Sequence, residues 1–130
     1  MTFVDTSVLL PFLDRDEDRH DEAVAAMTPV LAERRGVTHN YVVVEAEALA
    51  KRRLGGTVAR RLLQDVVPLI DVAWITPELH ARAVESHLAD LRRRTSLVDH
   101  ASFVVMRDRG ITEALAFDRH FREAGFVVKP

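Results

Sequence analysis

The chain contains no cysteine among its 130 residues, which excludes a disulfide framework and thiolate metal sites. It has no uninterrupted apolar run of about 18 residues that would span a membrane, and its start, MTFVDT, lacks the basic and apolar regions of a signal peptide. An excess of one charge is also missing, since 18 Lys and Arg oppose 20 Asp and Glu, a net charge of −2. We therefore expect a cytoplasmic protein, outside the membrane, whose contacts with any nucleic acid are local.

Linkers and internal repeats are absent as well, so residues 1–130 are predicted to form one domain. Strand-like segments alternate with helix-like ones, which predicts a parallel sheet covered by helices on both faces, an α/β/α sandwich. The predicted strands are residues 2–5, 36–39, 71–76, 112–117 and 125–129. The predicted helices are residues 6–14, 18–35, 40–54, 57–70, 77–94 and 96–109, with a short helix between the last two strands.

Carboxylates end two of the predicted strands. Asp5 stands between the first strand and the first helix, and Asp118 stands between ALAF and the short helix. Ligands of such sheets bind beyond the carboxyl ends of the strands, so both side chains reach one crevice if the first and fourth strands are neighbours. The alternative for each is a helix N-cap, which contributes about 1 kcal/mol.

Two further carboxylates interrupt apolar helical stretches. Glu45 is four residues from both Tyr41 and Leu49, which places it on their face of a helix. The alternative is a surface residue at the edge of the apolar stripe. Asp99 lies within SLVDHASFVVM, and its spacing from Ser96 is that of a capping box, S-x-x-D, which is the alternative reading of this acid.

Convergence of these acids in one pocket is a stronger interpretation than four separate caps. Like charges a few ångströms apart require raised pKa values or cations between them. Oxygen ligands without a thiolate or a His-x-x-x-His pair favour Mg²⁺ or Mn²⁺ over zinc. The six histidines are scattered, and His100 is expected to point elsewhere on its helix. A hard-cation site is therefore predicted from Asp5, Glu45, Asp99 and Asp118.

The order and context of the acids resemble those of a known family. The stretches FVDTSVLL, THNYVVVEAEAL, SLVDHASFVVMRDRGI and ALAFDRHF closely resemble the four acidic motifs of PIN-domain ribonucleases, over residues 3 to 127. The chain looks most like the VapC toxins of type II toxin–antitoxin pairs. One departure is Ala116, where relatives often carry a serine or threonine two residues before the last acid. The resemblance implies that Asp5, Glu45, Asp99 and Asp118 are the catalytic, metal-binding residues and that Thr6 and Ser96 support them from behind.

The resemblance also implies an activity and partners. We expect a metal-dependent endoribonuclease that hydrolyses phosphodiester bonds of structured RNA, such as tRNA or rRNA. A cognate VapB-type antitoxin is expected to cover the toxin, which is expected to form a homodimer. Apolar helices such as residues 18–35 and 57–67 are candidates for the antitoxin groove or the dimer interface, and the alternative is that their apolar stripes are core. The alternative is a non-catalytic RNA- or protein-binding module of the same fold, although such a module has no need of four acids.

Basic clusters flank two of the acids. One cluster follows the Glu45 helix and another precedes the Asp99 helix, so both are candidates for binding an RNA strand. Solvated helix surfaces are the alternative reading of each. The residues concerned are Lys51, Arg52, Arg53, Arg92, Arg93 and Arg94.

Overall fold

Five short strands form the centre of the computed structural model, which describes residues 1–130. They are β1 (Thr2–Val4), β2 (Gly36–His39), β3 (Asp71–Ala73), β4 (Glu113–Leu115) and β5 (Val127–Lys129). All pair in parallel, in the order β3-β2-β1-β4-β5. The central β1 pairs with β4 in the register Phe3 to Ala114 and Val4 to Leu115. The first and fourth strands are therefore neighbours.

Seven α-helices cover this sheet. They are α1 (Thr6–Leu13), α2 (His20–Ala32), α3 (Asn40–Leu54), α4 (Gly56–Arg61), α5 (Pro77–Leu88), α6 (Leu97–Arg109) and α7 (His120–Glu123). Helices α1 to α4 pack against one another, and α5 to α7 form a second group. Right-handed crossovers place the two groups on opposite faces, because the chain reverses its direction across the sheet after β3. The α/β/α fold expected from the sequence is confirmed.

The predicted helix at residues 57–70 is irregular. It begins as α4, widens into a π-helical turn at Leu62–Val66 and closes with a 3₁₀ turn at Val67–Leu69. Pro68 explains the irregularity, since proline has no N–H to donate and its ring clashes with the carbonyl group four residues earlier in a regular helix.

The predicted helix at residues 77–94 is too long. Helix α5 ends at Leu88, where the N–H of Asp90 donates to the carbonyl of His87 at 3.0 Å and so tightens the chain into turns. The N–H of Arg93 then donates to Asp90 O at 3.1 Å. Arg92–Arg94 consequently lie in an exposed loop between α5 and α6, not on a helix.

Most of the apolar stripes noted in the sequence are core. Ala23, Met27 and Val30 of α2 are buried, as are Leu62 and Val66 of the π turn. They join β1 and β4 in a cluster of 20 buried apolar residues. These stripes are therefore used within the chain rather than left open for a partner. No helix is both long and apolar enough to cross a bilayer.

Candidate active site

An open cavity of about 440 Å³ lies at the carboxyl edge of the sheet, where β1 and β4 end. The N–H of Asp5 donates to Leu115 O at 3.1 Å, so the residue that follows β1 is tied to the end of β4. Helices α1, α3 and α6 supply further walls. All four acids singled out from the sequence line this one cavity: Asp5, Glu45, Asp99 and Asp118.

Asp5 is both a helix cap and a wall of the cavity. Its Oδ2 accepts hydrogen bonds from Ser7 N at 3.0 Å and from Ser7 Oγ at 2.6 Å, and the residue is only 4% exposed. Burial raises the pKa of Asp5 from 3.8 to about 6, with smaller contributions from the charges of Asp99 and Asp118 and opposition from the Ser7 hydrogen bonds. The carboxylate is therefore held in place in a setting that disfavours its negative charge.

Asp99 also combines two roles. Its Oδ2 accepts from Ser96 N at 2.8 Å, and Ser96 Oγ accepts from Asp99 N at 3.1 Å, which is a complete capping box at the start of α6. Burial raises the pKa of Asp99, and the nearby charge of Asp118 adds to that rise. Ser96 thus fixes the carboxylate from behind while it also lines the cavity.

Asp118 lies against a histidine that sequence reasoning missed. His120 Nδ1 is 2.8 Å from Asp118 Oδ1 and 3.8 Å from Asp99 Oδ2. Asp118 Oδ1 accepts a hydrogen bond from the backbone N–H of His120 at 2.9 Å, whereas the buried ring atom His120 Nδ1 has no hydrogen-bond partner. Ligand atoms of Asp99, Asp118 and His120 all lie within 4.8 Å of one another. The sequence feature that could have indicated this residue is a histidine two positions after Asp118, the acid that follows a predicted strand.

His100 points away from the cavity, as expected. Its Nδ1 lies 2.8 Å from Ser86 Oγ, and its Nε2 lies 3.1 Å from Thr95 Oγ1. The ring therefore connects α5 and the loop before α6 and does not line the acidic cavity.

Glu45 reaches the cavity from the second turn of α3. It is partly buried, and it lines the cavity together with Leu49 and Arg53, which follow it at four-residue intervals. Glu45 therefore shares the face of Leu49 as expected. Arg53 is the only cationic side chain among the residues that line the cavity.

The hydroxyl that supports Asp5 belongs to Ser7. Ser7 Oγ donates to Asp5 and accepts the N–H of Phe117 at 2.9 Å, so it links the ends of β1 and β4. Thr6, expected in a supporting role, lines the cavity with a buried Oγ1 that has no hydrogen-bond partner. Ala116 is buried and carries no hydroxyl for Asp118, which is held by His120 instead.

The basic clusters differ in their relation to the acids. Arg92–Arg94 line an open groove of about 620 Å³ together with Arg119 and His120, and His120 connects this groove to Asp118. Arg93 is also paired with Asp90 at 3.3 Å. Of the other cluster, Arg53 lines the acidic cavity, whereas Lys51 lies in a separate groove beside α4. Arg52 is exposed and lines neither groove.

The donor set of the cavity suits a hard divalent cation. Six carboxylates line it, those of Asp14 and Glu17 besides the four predicted ones, and there is no thiolate; carboxylate oxygens are preferred ligands of Mg²⁺ and Mn²⁺. The unpartnered Oγ1 of Thr6 is a buried polar atom that a hydrated cation would satisfy. The pKa values of Asp5 and Asp99 are raised chiefly by burial and to a smaller extent by neighbouring carboxylates, so ionisation of both acids is disfavoured in the metal-free cavity.

Comparisons with known proteins agree with this geometry. The PIN domain family model matches residues 2–127. The "23S rRNA-specific endonuclease VapC20" of Mycobacterium tuberculosis is 36% identical over an alignment that covers 100% of this chain and 99% of the relative. The crystal structure of M. tuberculosis VapC20, described as a "Sarcin-Ricin loop cleaving toxin", superposes with a TM-score of 0.87 at 34% identity, and each chain is covered completely.

More distant structures share the fold alone. The crystal structure of FitAcB from Neisseria gonorrhoeae has a TM-score of 0.74 at 18% identity, and the match covers 100% of this chain and 97% of the other. A family match over nearly all residues and a relative aligned end to end lead to one conclusion: the chain belongs to the PIN-domain family and, within it, to the VapC-type endonuclease toxins.

Proposed function

We propose that this protein is a divalent-cation-dependent endoribonuclease that hydrolyses phosphodiester bonds of structured RNA as the toxin of a toxin–antitoxin pair. The observation that carries the proposal is the convergence of four carboxylates on one open cavity at the carboxyl edge of the sheet. Ribosomal RNA is the first candidate substrate, because the relative that aligns end to end is named for 23S rRNA cleavage.

The proposed cation ligands are Asp5, Glu45, Asp99 and Asp118, and the ion is Mg²⁺ or Mn²⁺. When bound, it would supply Lewis-acid activation of water and charge neutralisation at the phosphate. The chain contributes the fixed positions of the ligands, since the Ser7 hydroxyl donates to the Asp5 carboxylate and the Ser96 backbone N–H donates to the Asp99 carboxylate. The backbone N–H of His120 donates to Asp118 Oδ1 and fixes the turn after this acid, and the His120 ring lies beside the carboxylates of Asp118 and Asp99.

Basic residues on two sides of the cavity are proposed to bind the RNA backbone. Arg53 lies at the edge formed by α3, and Arg92–Arg94 lie beyond His120. An RNA strand that crosses the acids between them would have its phosphates paired on both sides of the scissile bond. Lys51 and Arg52, which lie outside the cavity, would contact RNA further from that bond.

Several wider assignments are part of the same proposal. Residues 1–130 would act as one nuclease domain in the cytoplasm. A VapB-type antitoxin would restrain it, and two copies of the chain would form a homodimer. Because the stripe of α2 is core, exposed apolar side chains such as Val44, Leu63 and Trp74 are better candidates than that stripe for contacts with partners.

Cleavage of a sarcin–ricin hairpin, with a tRNA as a second substrate, tests the activity. We expect cleavage with Mg²⁺ or Mn²⁺, none in EDTA, and none by the Asp5→Asn or Asp99→Asn variants. An Asp65→Asn variant is the control, because this acid is exposed and outside the cavity. Cleavage that persists in EDTA, or an active Asp5→Asn variant, would contradict the proposal; metal and RNA binding without cleavage would favour a binding module.

Thermal unfolding tests the cation site without reference to activity. A ligand that binds only the folded chain raises the melting temperature by mass action. Millimolar Mn²⁺ should therefore stabilise the wild-type protein and should have no effect when Asp5 and Asp99 are both replaced by asparagine.

A further inference from the structure

His39 occupies an unusual place for an imidazole. It ends β2 and precedes α3, it is completely buried, and its ring packs against Phe3 at 5.7 Å between ring centroids. Its Nδ1 accepts the N–H of Val42 at 3.3 Å and so caps the first turn of α3. Its Nε2 lies 2.8 Å from Ser102 Oγ in α6.

The direction of each hydrogen bond is determined by these contacts. Because Nδ1 accepts a backbone N–H, the ring proton is on Nε2, and Nε2 donates to Ser102 Oγ. Ser102 Oγ in turn donates to Val98 O at 3.0 Å. Burial lowers the pKa of His39 to about 4, so the ring is neutral at physiological pH and keeps this tautomer.

The two helices joined in this way carry two of the acids. Val42 is in the first turn of α3, one turn before Glu45, and Val98 is the neighbour of Asp99. The bond between His39 and Ser102 is the only hydrogen bond that connects residues 36–54 with α6. Helices α3 and α6 approach each other closely at only a few positions.

We infer that His39 is a positioning residue, which, through Ser102, sets the relative placement of Glu45 and Asp99 across the cavity. The inference rests on the proposed nuclease function, since a cation site needs its ligands at set separations. Replacement of a residue that orients a metal ligand typically reduces metal affinity or activity by about 10- to 100-fold. A fully buried series of hydrogen bonds, in which each donor and acceptor is fixed, is rigid enough to hold two helices in one relative position.

Two variants break the connection in different ways. Ser102→Ala removes the acceptor, whereas His39→Asn keeps a good N-cap for α3 but is too short to reach α6. We expect each to weaken Mn²⁺ binding to the metal-free protein, measured by calorimetry, by about tenfold or more. We expect kcat for RNA cleavage to fall by a similar factor, with KM within about twofold, because neither residue contacts RNA.

Controls separate positioning from stability. Thr38→Val removes another buried hydroxyl of β2. This hydroxyl donates to Val4 O at 2.8 Å and makes no hydrogen bond with His39 or Ser102. Ser102→Thr keeps the hydroxyl but adds a methyl group to a fully buried site, which costs about 1–3 kcal/mol. We expect both to lower the melting temperature and to leave Mn²⁺ affinity unchanged.

The inference is overturned if Ser102→Ala and His39→Asn bind Mn²⁺ and cleave RNA as the wild type does, or if Thr38→Val loses as much affinity as Ser102→Ala. If one of the two variants does not fold, the other decides. A wild-type protein that binds no Mn²⁺ and cleaves no RNA would refute the proposed function itself, which is a distinguishable result.

Discussion

Replacement of Asp5 by asparagine should stabilise the metal-free protein at neutral pH. Burial, with the added charges of Asp99 and Asp118, raises the pKa of Asp5 from 3.8 to about 6. Ionising this group in the folded chain therefore costs about 3 kcal/mol more than in the unfolded chain. Asparagine carries no charge, and its Oδ1 can accept the same two hydrogen bonds from Ser7.

The stability gained by the Asp5→Asn variant should increase with pH. Because the folded pKa is higher than the unfolded one, the folded wild type binds more protons between about pH 4 and 6 and loses stability as pH rises through that window. The variant should exceed the wild type by about 3 kcal/mol at pH 7.5 and by close to zero at pH 4. His39, whose pKa is lowered to about 4, titrates with the opposite slope in both proteins and cancels in the difference.

Urea unfolding in EDTA at several pH values measures this difference. For a chain of this size a gain of about 3 kcal/mol corresponds to a rise of roughly 10 °C in melting temperature. Asp65→Asn is the matched control, since it removes an exposed charge outside the cavity and should change the stability by less than about 0.5 kcal/mol. An Asp5→Asn variant with wild-type stability at pH 7.5, or with a gain that persists at pH 4, would refute the reasoning.

A divalent cation should reduce or reverse the advantage of the variant. At ten times its Kd, Mn²⁺ stabilises a folded protein that it binds by about 1.4 kcal/mol, and the gain grows with concentration. The wild type should receive this stabilisation and the variant little of it, because one carboxylate of the site is gone. Equal stabilisation of both proteins would indicate that the ion binds elsewhere.

Three further outcomes follow from the structure. Replacing Arg92–Arg94 by alanine should weaken RNA binding, measured in a catalytically inactive Asp5→Asn background. The slope of log K against log salt should fall by about 0.7 for each lost contact with single-stranded phosphate. The wild-type background should retain its stabilisation by Mn²⁺, and an unchanged slope would remove these residues from the RNA interface. Ser96→Ala should lower the free energy of unfolding by about 1 kcal/mol and reduce Mn²⁺ affinity, because it removes the hydroxyl of the Asp99 capping box. Denaturant titration measures the first effect and calorimetric titration with Mn²⁺ measures the second. Gly110→Ala should cost about 1–2 kcal/mol without affecting cleavage, since φ is +66° there and no atom lies within 4 Å of an added Cβ; an unchanged unfolding midpoint would contradict this.

Some parts of the site were visible in the sequence because they depend on local chemistry. Asp5 and Asp118 follow strand-like segments, and Ser96 stands three residues before Asp99, so their positions at strand ends and helix starts could be assigned from neighbouring residues. The capping alternative proved compatible with the site, because Asp5 and Asp99 cap helices and line the cavity at once.

Other parts were not visible because they depend on contacts between distant residues. Ser7 connects Asp5 to the end of β4 only because the sheet brings Phe117 beside it, and His120 meets Asp99 only where α7 folds back against α6. The loop with Arg92–Arg94 was assigned to a helix, since the turn that ends α5 is made by backbone bonds that no single residue type signals.

The sequence by itself determined the alternation of strands and helices, the five-stranded α/β/α class and the four acids at the ends of these elements, because periodicity and helix caps act over a few residues. Only the tertiary structure decided that β1 pairs with β4, that Glu45 and Asp99 from different helices line one cavity, and that His39 connects those helices through Ser102. These relations arise when the whole core packs, since residues such as His39 and Ser102 are separated by 63 positions in the chain and meet only in the folded protein.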